Sequence, residues 1–277
     1  MTSSLARLSL NQATTRHWAT AELIRGCAEA GIGGVGLWRY AVEETGAATM
    51  ARLVRAAGLT VTSLCRGGFF TAAGPGAFAA ALADNRRAVE QAAGVGAPVL
   101  ALVCGGLPPG RRDLAAARRQ VAEGIAALVP HAARHGVRLA IEPMHPMFCS
   151  DRSVVSTVAQ AAALAAPFPP GQVGIMVDAY HVWWDPTVTE DIAAAGPRIF
   201  GYQISDWVTP LGADVLLARG HVGDGCIDFR RLGGALRAAG YQGWTEVEIF
   251  SERVWAAPGP ETLRTVVDRY LRHVAGD

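Results

Sequence analysis

The chain alternates between short, nearly continuous apolar runs and longer stretches in which Ala, Leu and Arg recur at helical spacing. The short runs are Leu5–Asn11, Gly34–Arg39, Leu59–Arg66, Ala97–Gly105, Val137–Met144, Val173–Ala179, Ile199–Asp206 and Trp244–Phe250. Their length and lack of strict polar alternation predict strands covered on both faces, as in a parallel sheet. Between them, helices are predicted over Ala19–Ala30, Thr45–Ala57, Gly76–Ala93, Arg111–His135, Ser153–Ala166, Thr187–Gly196, Phe229–Ala239 and Pro260–Val274. Leu114, Val121, Ile125 and Leu128 illustrate the signal, since a 3.6-residue period puts them on one stripe. Gly31, Gly58, Gly136 and Gly240 each stand between a helical stretch and a strand, where glycine accepts the left-handed turn that ends a helix.

Strand and helix thus alternate through the whole chain with no linker or low-complexity segment. This predicts an α/β fold, a single (β/α)8 barrel of the TIM type over residues 1–277. The rival, a doubly wound open sheet, carries a glycine-rich turn after its first strand, and Leu10-Asn11-Gln12-Ala13 offers none. The irregular segment Ser205–Cys226 is long enough to build a substrate loop at the barrel mouth.

Composition narrows the picture. Hydrophobic residues make up 51% of the 277 and charged residues 18%, so a large core is expected and disorder is not. A formal charge of +1 gives no basic stripe for nucleic acid or anionic membrane. No run approaches the roughly 20 apolar residues of a membrane span. The opening MTSSLARLSLNQ lacks the apolar centre of a secretion signal, which makes a cytoplasmic location the expectation. Five cysteines are scattered with no CxxC pair, against both a zinc ribbon and a disulfide framework.

Four polar residues close four of the apolar runs: Glu142 in RLAIEPMH, Asp178 in VGIMVDAYH, Gln203 in IFGYQISD and Glu248 in WTEVEIF. A buried carboxylate is costly unless something neutralises it. Taken singly, each acid reads as a salt bridge or a helix cap. Taken together at successive strand ends, they read as an arc of ligands for one shared cation. Three carboxylates and an amide oxygen form a hard oxygen set suited to Mn2+ or Mg2+, with Co2+ or Zn2+ as alternatives.

The stretches IEPMHP, VDAYH, YQISDW and GHVGDGCIDFRRLGGALRAAGYQGWTEVEIFSE closely resemble the sugar isomerase/epimerase family with a xylose-isomerase-like barrel. That family includes ketose 3-epimerases, hydroxypyruvate isomerases, inosose dehydratases and endonuclease IV. The resemblance implies that Glu142, Asp178, Gln203 and Glu248 hold a single metal, with Glu142 and Glu248 as the acid/base pair. Many members have His in place of Gln203, and the hydroxypyruvate-isomerase-like branch has Gln. It further implies that His181 meets a substrate hydroxyl, that His221 or Arg219 reaches the substrate, and that Asp206 orients a ligand.

His145 departs from the family, which commonly has Asn there. It reads either as a proton-transferring base or as a structural hydrogen bond ahead of Pro146. Trp183 and other aromatics past the strand ends suit the apolar face of a sugar ring, or else anchor loops. Arg39 and Arg66 end strands where they could bind an anionic or hydroxyl group, or form surface salt bridges.

The implied chemistry is removal of a proton beside a carbonyl of a sugar or keto-sugar, giving isomerisation or epimerisation through an enediolate. If the carbanion expels a β-substituent instead, the same site is a lyase or dehydratase. The metal-binding subunits of C-glycoside deglycosidases resemble this arrangement, use a histidine base and work with a second subunit. A non-catalytic sugar-binding barrel is the remaining alternative. Endonuclease activity would need further metal-binding histidines and a basic groove, and the chain has seven His and near-zero net charge. A small-molecule substrate is expected, with a homo-oligomer or a second subunit possible.

Overall fold

The computed structural model describes residues 5–275; residues 1–4, part of the stretch read for a leader, and residues 276–277 lie outside it. Eight parallel strands close into a barrel: β1 (Leu8–Asn11), β2 (Gly34–Trp38), β3 (Thr60–Gly68), β4 (Val99–Val103), β5 (Arg138–Ile141), β6 (Val173–Asp178), β7 (Ile199–Ile204) and, after a small hairpin, β10 (Thr245–Val247). Neighbours follow chain order, and β10 closes the ring on β1 with Leu8 opposite Thr245 and Leu10 opposite Val247. The fold is the expected (β/α)8 barrel, and every predicted strand run overlaps one barrel strand.

Side-chain alternation sorts each strand into an inner and an outer face. Val99 and Ala101 of β4, Ala140 of β5 and Met176 of β6 join Cys65 and Phe200 in a small apolar plug within the barrel. Leu100, Leu102, Leu139, Ile141, Ile175 and Val177 belong instead to the main core between strands and helices. Burial of this outer layer, at about 25 cal/mol per Å2 of apolar surface, is the principal force holding helices to barrel.

The helices differ from expectation in some boundaries and in short additions. The predicted helix Thr45–Ala57 is found as Ala47–Ala56, and a further helix not predicted, Arg39–Thr45, stands before it. Gly46 between them adopts φ +83°, a conformation that interrupts a helix and suits only glycine comfortably. The predicted helix Ser153–Ala166 begins late, at Val158, because the Thr157 side chain caps it by accepting a hydrogen bond from the Gln160 N–H. A feature invisible to periodicity is the antiparallel pair β8 (Asp206–Trp207) and β9 (Arg219–Gly220), which stands on the C-terminal end of β7. Among the described residues, no helix is long and apolar enough to cross a membrane.

Candidate active site

The site is built in two polar layers. In the lower layer, Glu246 points into the barrel and accepts hydrogen bonds from Asn11 Nδ2 (2.7 Å), Thr62 Oγ1 (2.6 Å), Ser63 Oγ (2.9 Å) and Gln203 Nε2 (2.9 Å). Four donors from three strands, with Thr62 and Ser63 both on β3, satisfy this buried carboxylate without a cation. Its space is reserved by Gly36, where a β-carbon would stand only 2.5 Å from the Glu246 carboxyl carbon. Sequence reasoning missed Glu246, although the signal was present: two residues before Glu248, it must face the same side of the strand.

The upper layer gathers residues from the C-terminal ends of β5, β6 and β10. Glu142 follows β5, Asp178 ends β6 opposite Gln203 of β7, and Glu248 follows β10. Arg219 reaches into them from the hairpin. Its Nη1 donates to Asp178 Oδ2 (2.8 Å), Ser205 Oγ (3.2 Å) and the Glu248 carbonyl (3.2 Å), and lies 3.5 Å from Glu248 Oε2. Its Nη2 stands 3.0 Å from His181 Nε2, which in turn is 3.7 Å from both Glu142 Oε1 and Asp178 Oδ2. All of these side chains are buried.

Burial and crowding shift their protonation. Burial, reinforced by the Asp178 charge, pushes the Glu142 carboxyl up to about 8, against the pull of Arg219 and Arg66. Burial also raises Asp178, and raises Glu248 well above the usual carboxylate range, with Arg219 opposing in both cases. Burial disfavours the Arg219 charge, but the carboxylates of Asp178 and Glu248 outweigh it and hold the guanidinium firmly charged. His181 is kept neutral, its proton affinity far below normal, by burial and by the adjacent guanidinium.

A cation fits this set on two grounds. Three carboxylates, Glu142, Asp178 and Glu248, face one guanidinium, which leaves two negative charges uncompensated when all are ionised. The Gln203 Oε1, fully buried, has no hydrogen-bond partner, because its amide nitrogen is turned to Glu246. An orphaned amide oxygen beside surplus carboxylates is a donor set for a hard divalent ion. Ligand atoms of Glu142, Asp178 and His181 also lie within 4.8 Å of one another, so His181 is a further possible ligand.

Other residues singled out in the sequence lie elsewhere. His145 opens the 3-10 turn Pro146–Phe148, where its Nδ1 accepts from the Met147 N–H (3.2 Å), and its ring packs on Trp207 and Trp184. With Nδ1 accepting, the neutral ring carries its proton on Nε2, and burial lowers its proton affinity. His221 starts a tight turn closed by the Asp224 N–H on its carbonyl (2.9 Å), with Nδ1 buried and unpartnered. Trp183 packs against Trp207 at 5.3 Å. Asp206 accepts from the backbone N–H groups of Gly223 (2.8 Å), Gly225 (2.9 Å) and Ile227 (3.1 Å), so it shapes the loop after β9 rather than a ligand. Gly225 is required there, because a β-carbon would lie 2.1 Å from the Trp207 carbonyl oxygen.

A cavity of about 370 Å3 opens over the upper layer. Glu142, Glu248, Arg219 and Arg66 line it, together with Trp38, Phe250, Tyr40, Arg16 and Arg152. His145, His181, His221 and Trp183 are not on its wall. Arg39 does not reach it either: its guanidinium is clamped by Asp84 at 2.8 and 2.9 Å, and Nε donates to Gln91.

Comparison with known proteins agrees with this architecture. Protein SMc04130 from Sinorhizobium meliloti 1021 is 46% identical over 98% of this chain and all of its own, with a TM-score of 0.95. The IolI protein with a bound zinc atom is 20% identical over 97% of this chain and 98% of its own, TM-score 0.84. A D-psicose 3-epimerase studied in the presence of D-fructose is 17% identical over 98% of this chain and all of its own, TM-score 0.78. No curated protein matches the chain. The family model described as xylose isomerase-like TIM barrel matches residues 24–272, and the chain is a member of that family.

Proposed function

We propose that this protein is a divalent-metal-dependent isomerase or epimerase of a sugar or keto-sugar, acting by proton transfer beside a carbonyl. The observation that carries the reading is the buried cluster of Glu142, Asp178 and Glu248, which one guanidinium cannot neutralise, next to the orphaned Gln203 Oε1. Glu142, Asp178, Gln203 and Glu248 would hold the cation, with Mn2+ or Mg2+ the natural choice for oxygen donors. The zinc atom in the IolI protein supports a divalent ion in a barrel of this shape. When bound, such an ion polarises the substrate carbonyl and carries the charge that develops on its oxygen.

The remaining work falls to side chains. Asp178 and Gln203 are sealed beneath the surface, whereas Glu142 and Glu248 face the cavity. Only the latter two can also reach a substrate carbon. One accepts the proton and the other returns it. Their raised proton affinities suit a pair exchanging protons near neutral pH. Arg219, on the cavity wall, orients the carboxylates and a substrate oxygen, and neutral His181 behind it holds the guanidinium in place. Trp38, Tyr40 and Phe250 give the cavity an aromatic wall. Return of the proton to the adjacent carbon gives isomerisation, and return to the opposite face gives epimerisation.

Elimination with His145 as base is the less favoured course, because that ring lies off the cavity wall with Nδ1 engaged by Met147. The test is to strip the protein of metal, restore Mn2+, Mg2+, Co2+ or Zn2+ singly, and follow ketoses and 3-keto-glycosides in D2O. Deuterium entering an intact carbon skeleton only with metal present supports the reading. Metal-free protein with full, EDTA-indifferent activity would overturn it, and release of water or an aglycone would reassign the site to elimination.

A further inference from the structure

The carboxylates come from the ends of β5, β6 and β10, and the rest of the cavity wall carries arginines: Arg66 on β3, Arg152 in the loop after β5 and Arg16 after β1. Arg66 lies on β3 near its C-terminal end, and β3 stands diametrically across the ring from β7. Its side chain lies over the Phe69 ring at 4.0 Å and has no hydrogen-bond acceptor or acid partner among the described residues. Arg152, on the same cavity, has only its sequence neighbour Asp151, at 3.4 Å. Arg16 at the rim lies over the face of Trp255, 5.1 Å away. Among the described residues, no acid other than Glu142 and Glu248 lines this cavity.

Arg39 shows how this protein treats an arginine that is structural: it receives a bidentate carboxylate and an amide. Arg66 receives neither, although it is the more enclosed of the two, and the repulsion of Arg152 and Arg39 outweighs the pull of Glu142. Burial and that repulsion hold it below the usual arginine range. Converging guanidinium groups with spare N–H donors form a fork for a planar or tetrahedral oxyanion.

We propose that the substrate carries an anionic group, a carboxylate or a phosphate, which Arg66 and Arg152 bind in the same cavity that Glu142 and Glu248 line. This rests on the reading of the cavity as a substrate site but not on the reaction, so it is tested by binding alone. Three small ligands differ only at one end: dihydroxyacetone is neutral, hydroxypyruvate carries a carboxylate, and dihydroxyacetone phosphate carries a phosphate. Titration calorimetry on metal-loaded and metal-stripped protein compares them.

At least one anionic ligand should bind about tenfold or more tighter than dihydroxyacetone in both forms; which one identifies the group. Arg66→Gln or Arg152→Gln should then reduce the anion-to-neutral ratio about tenfold. Arg152 lies in a loop and is partly exposed, so its variant folds even if the Arg66 variant does not. Equal affinities for the three ligands, a preference confined to metal-loaded protein, or a ratio unmoved in both variants would overturn the proposal. Failure of the deuterium-exchange test with anion preference intact would instead remove the isomerase reading and leave the subsite standing.

Discussion

Arg219 on the β9 strand and Asp178 at the end of β6 are joined by a 2.8 Å hydrogen bond between buried charges, 41 residues apart in sequence. This pair ties the hairpin over the mouth to the barrel wall. Among the described residues, Arg219 is the one guanidinium within salt-bridge distance of this carboxylate cluster. Removing one member of a buried ion pair strands the other, at a cost of about 3–5 kcal/mol. Arg219→Gln should therefore lower the unfolding free energy of metal-stripped protein by about 3 kcal/mol, measured by urea denaturation. Saturating Mn2+ should recover part of that loss, since the variant has more surplus negative charge to neutralise.

The protonation of Glu142 gives the protein an unusual pH dependence. Its carboxyl titrates near 8 when folded, against an ordinary value of 4.5. Between those values the native state holds a proton that the unfolded chain has released, so stability falls as pH rises through the window. The shifts of Asp178 and Glu248 act in the same direction. The Tm of metal-stripped protein should decline from about pH 5 to pH 8, and Mn2+ should flatten or reverse the decline. A stripped protein whose Tm rises over that range contradicts the assignment.

Glu248→Gln separates a catalyst from an inert scaffold. The substitution keeps the shape but removes one ligand charge and one proton carrier. Metal content by elemental analysis should fall, and deuterium exchange into substrate should drop by at least about a hundredfold. Loss of metal with exchange unaffected would dissociate the two roles given to this residue.

His145→Ala tests the departure from the family pattern. Because His145 Nδ1 accepts from the Met147 N–H, the ring serves the turn at Pro146–Phe148. Turnover should stay within about tenfold of the parent, equivalent to about 1.4 kcal/mol, with metal content unchanged. A collapse of turnover at normal metal content would instead make His145 the base and favour elimination.

Glu246→Gln probes the lower layer. An amide there would turn a donor towards Asn11, Thr62, Ser63 and Gln203, all of which donate to the carboxylate now. Even after the two hydroxyls rotate, at least one buried donor loses its acceptor, at about 1–3 kcal/mol. Denaturation should show a loss in that range. Metal affinity should fall as well, since Gln203 would no longer be anchored with Oε1 free.

How far the chain could be read depended on whether a signal was local. Apolar runs and helix-ending glycines gave every barrel strand, and strand-end position alone marked Glu142, Asp178, Gln203 and Glu248. Gly46 and Thr157 moved helix boundaries because turn conformation and capping act at single residues, beneath the resolution of a periodic pattern. His145 and Trp183 looked equivalent to Arg66 in sequence, each lying near a strand end, and His221 lay in the long segment after Ile199–Asp206. Of these, Arg66 alone lines the cavity, since it sits on β3, whereas the other three lie in turns whose packing sets their direction.

The amino-acid sequence by itself determined the closed barrel and the side of it that carries chemistry, because strand periodicity and strand ends are properties of short segments. The tertiary structure decided the rest. It brought Arg219 from a distant hairpin into the carboxylates, turned the Gln203 amide so that its oxygen was left unpaired, and set Glu246 on four donors from three strands. Charge balance and hydrogen-bond satisfaction belong to groups that meet only in space, and no spacing along the chain encodes them.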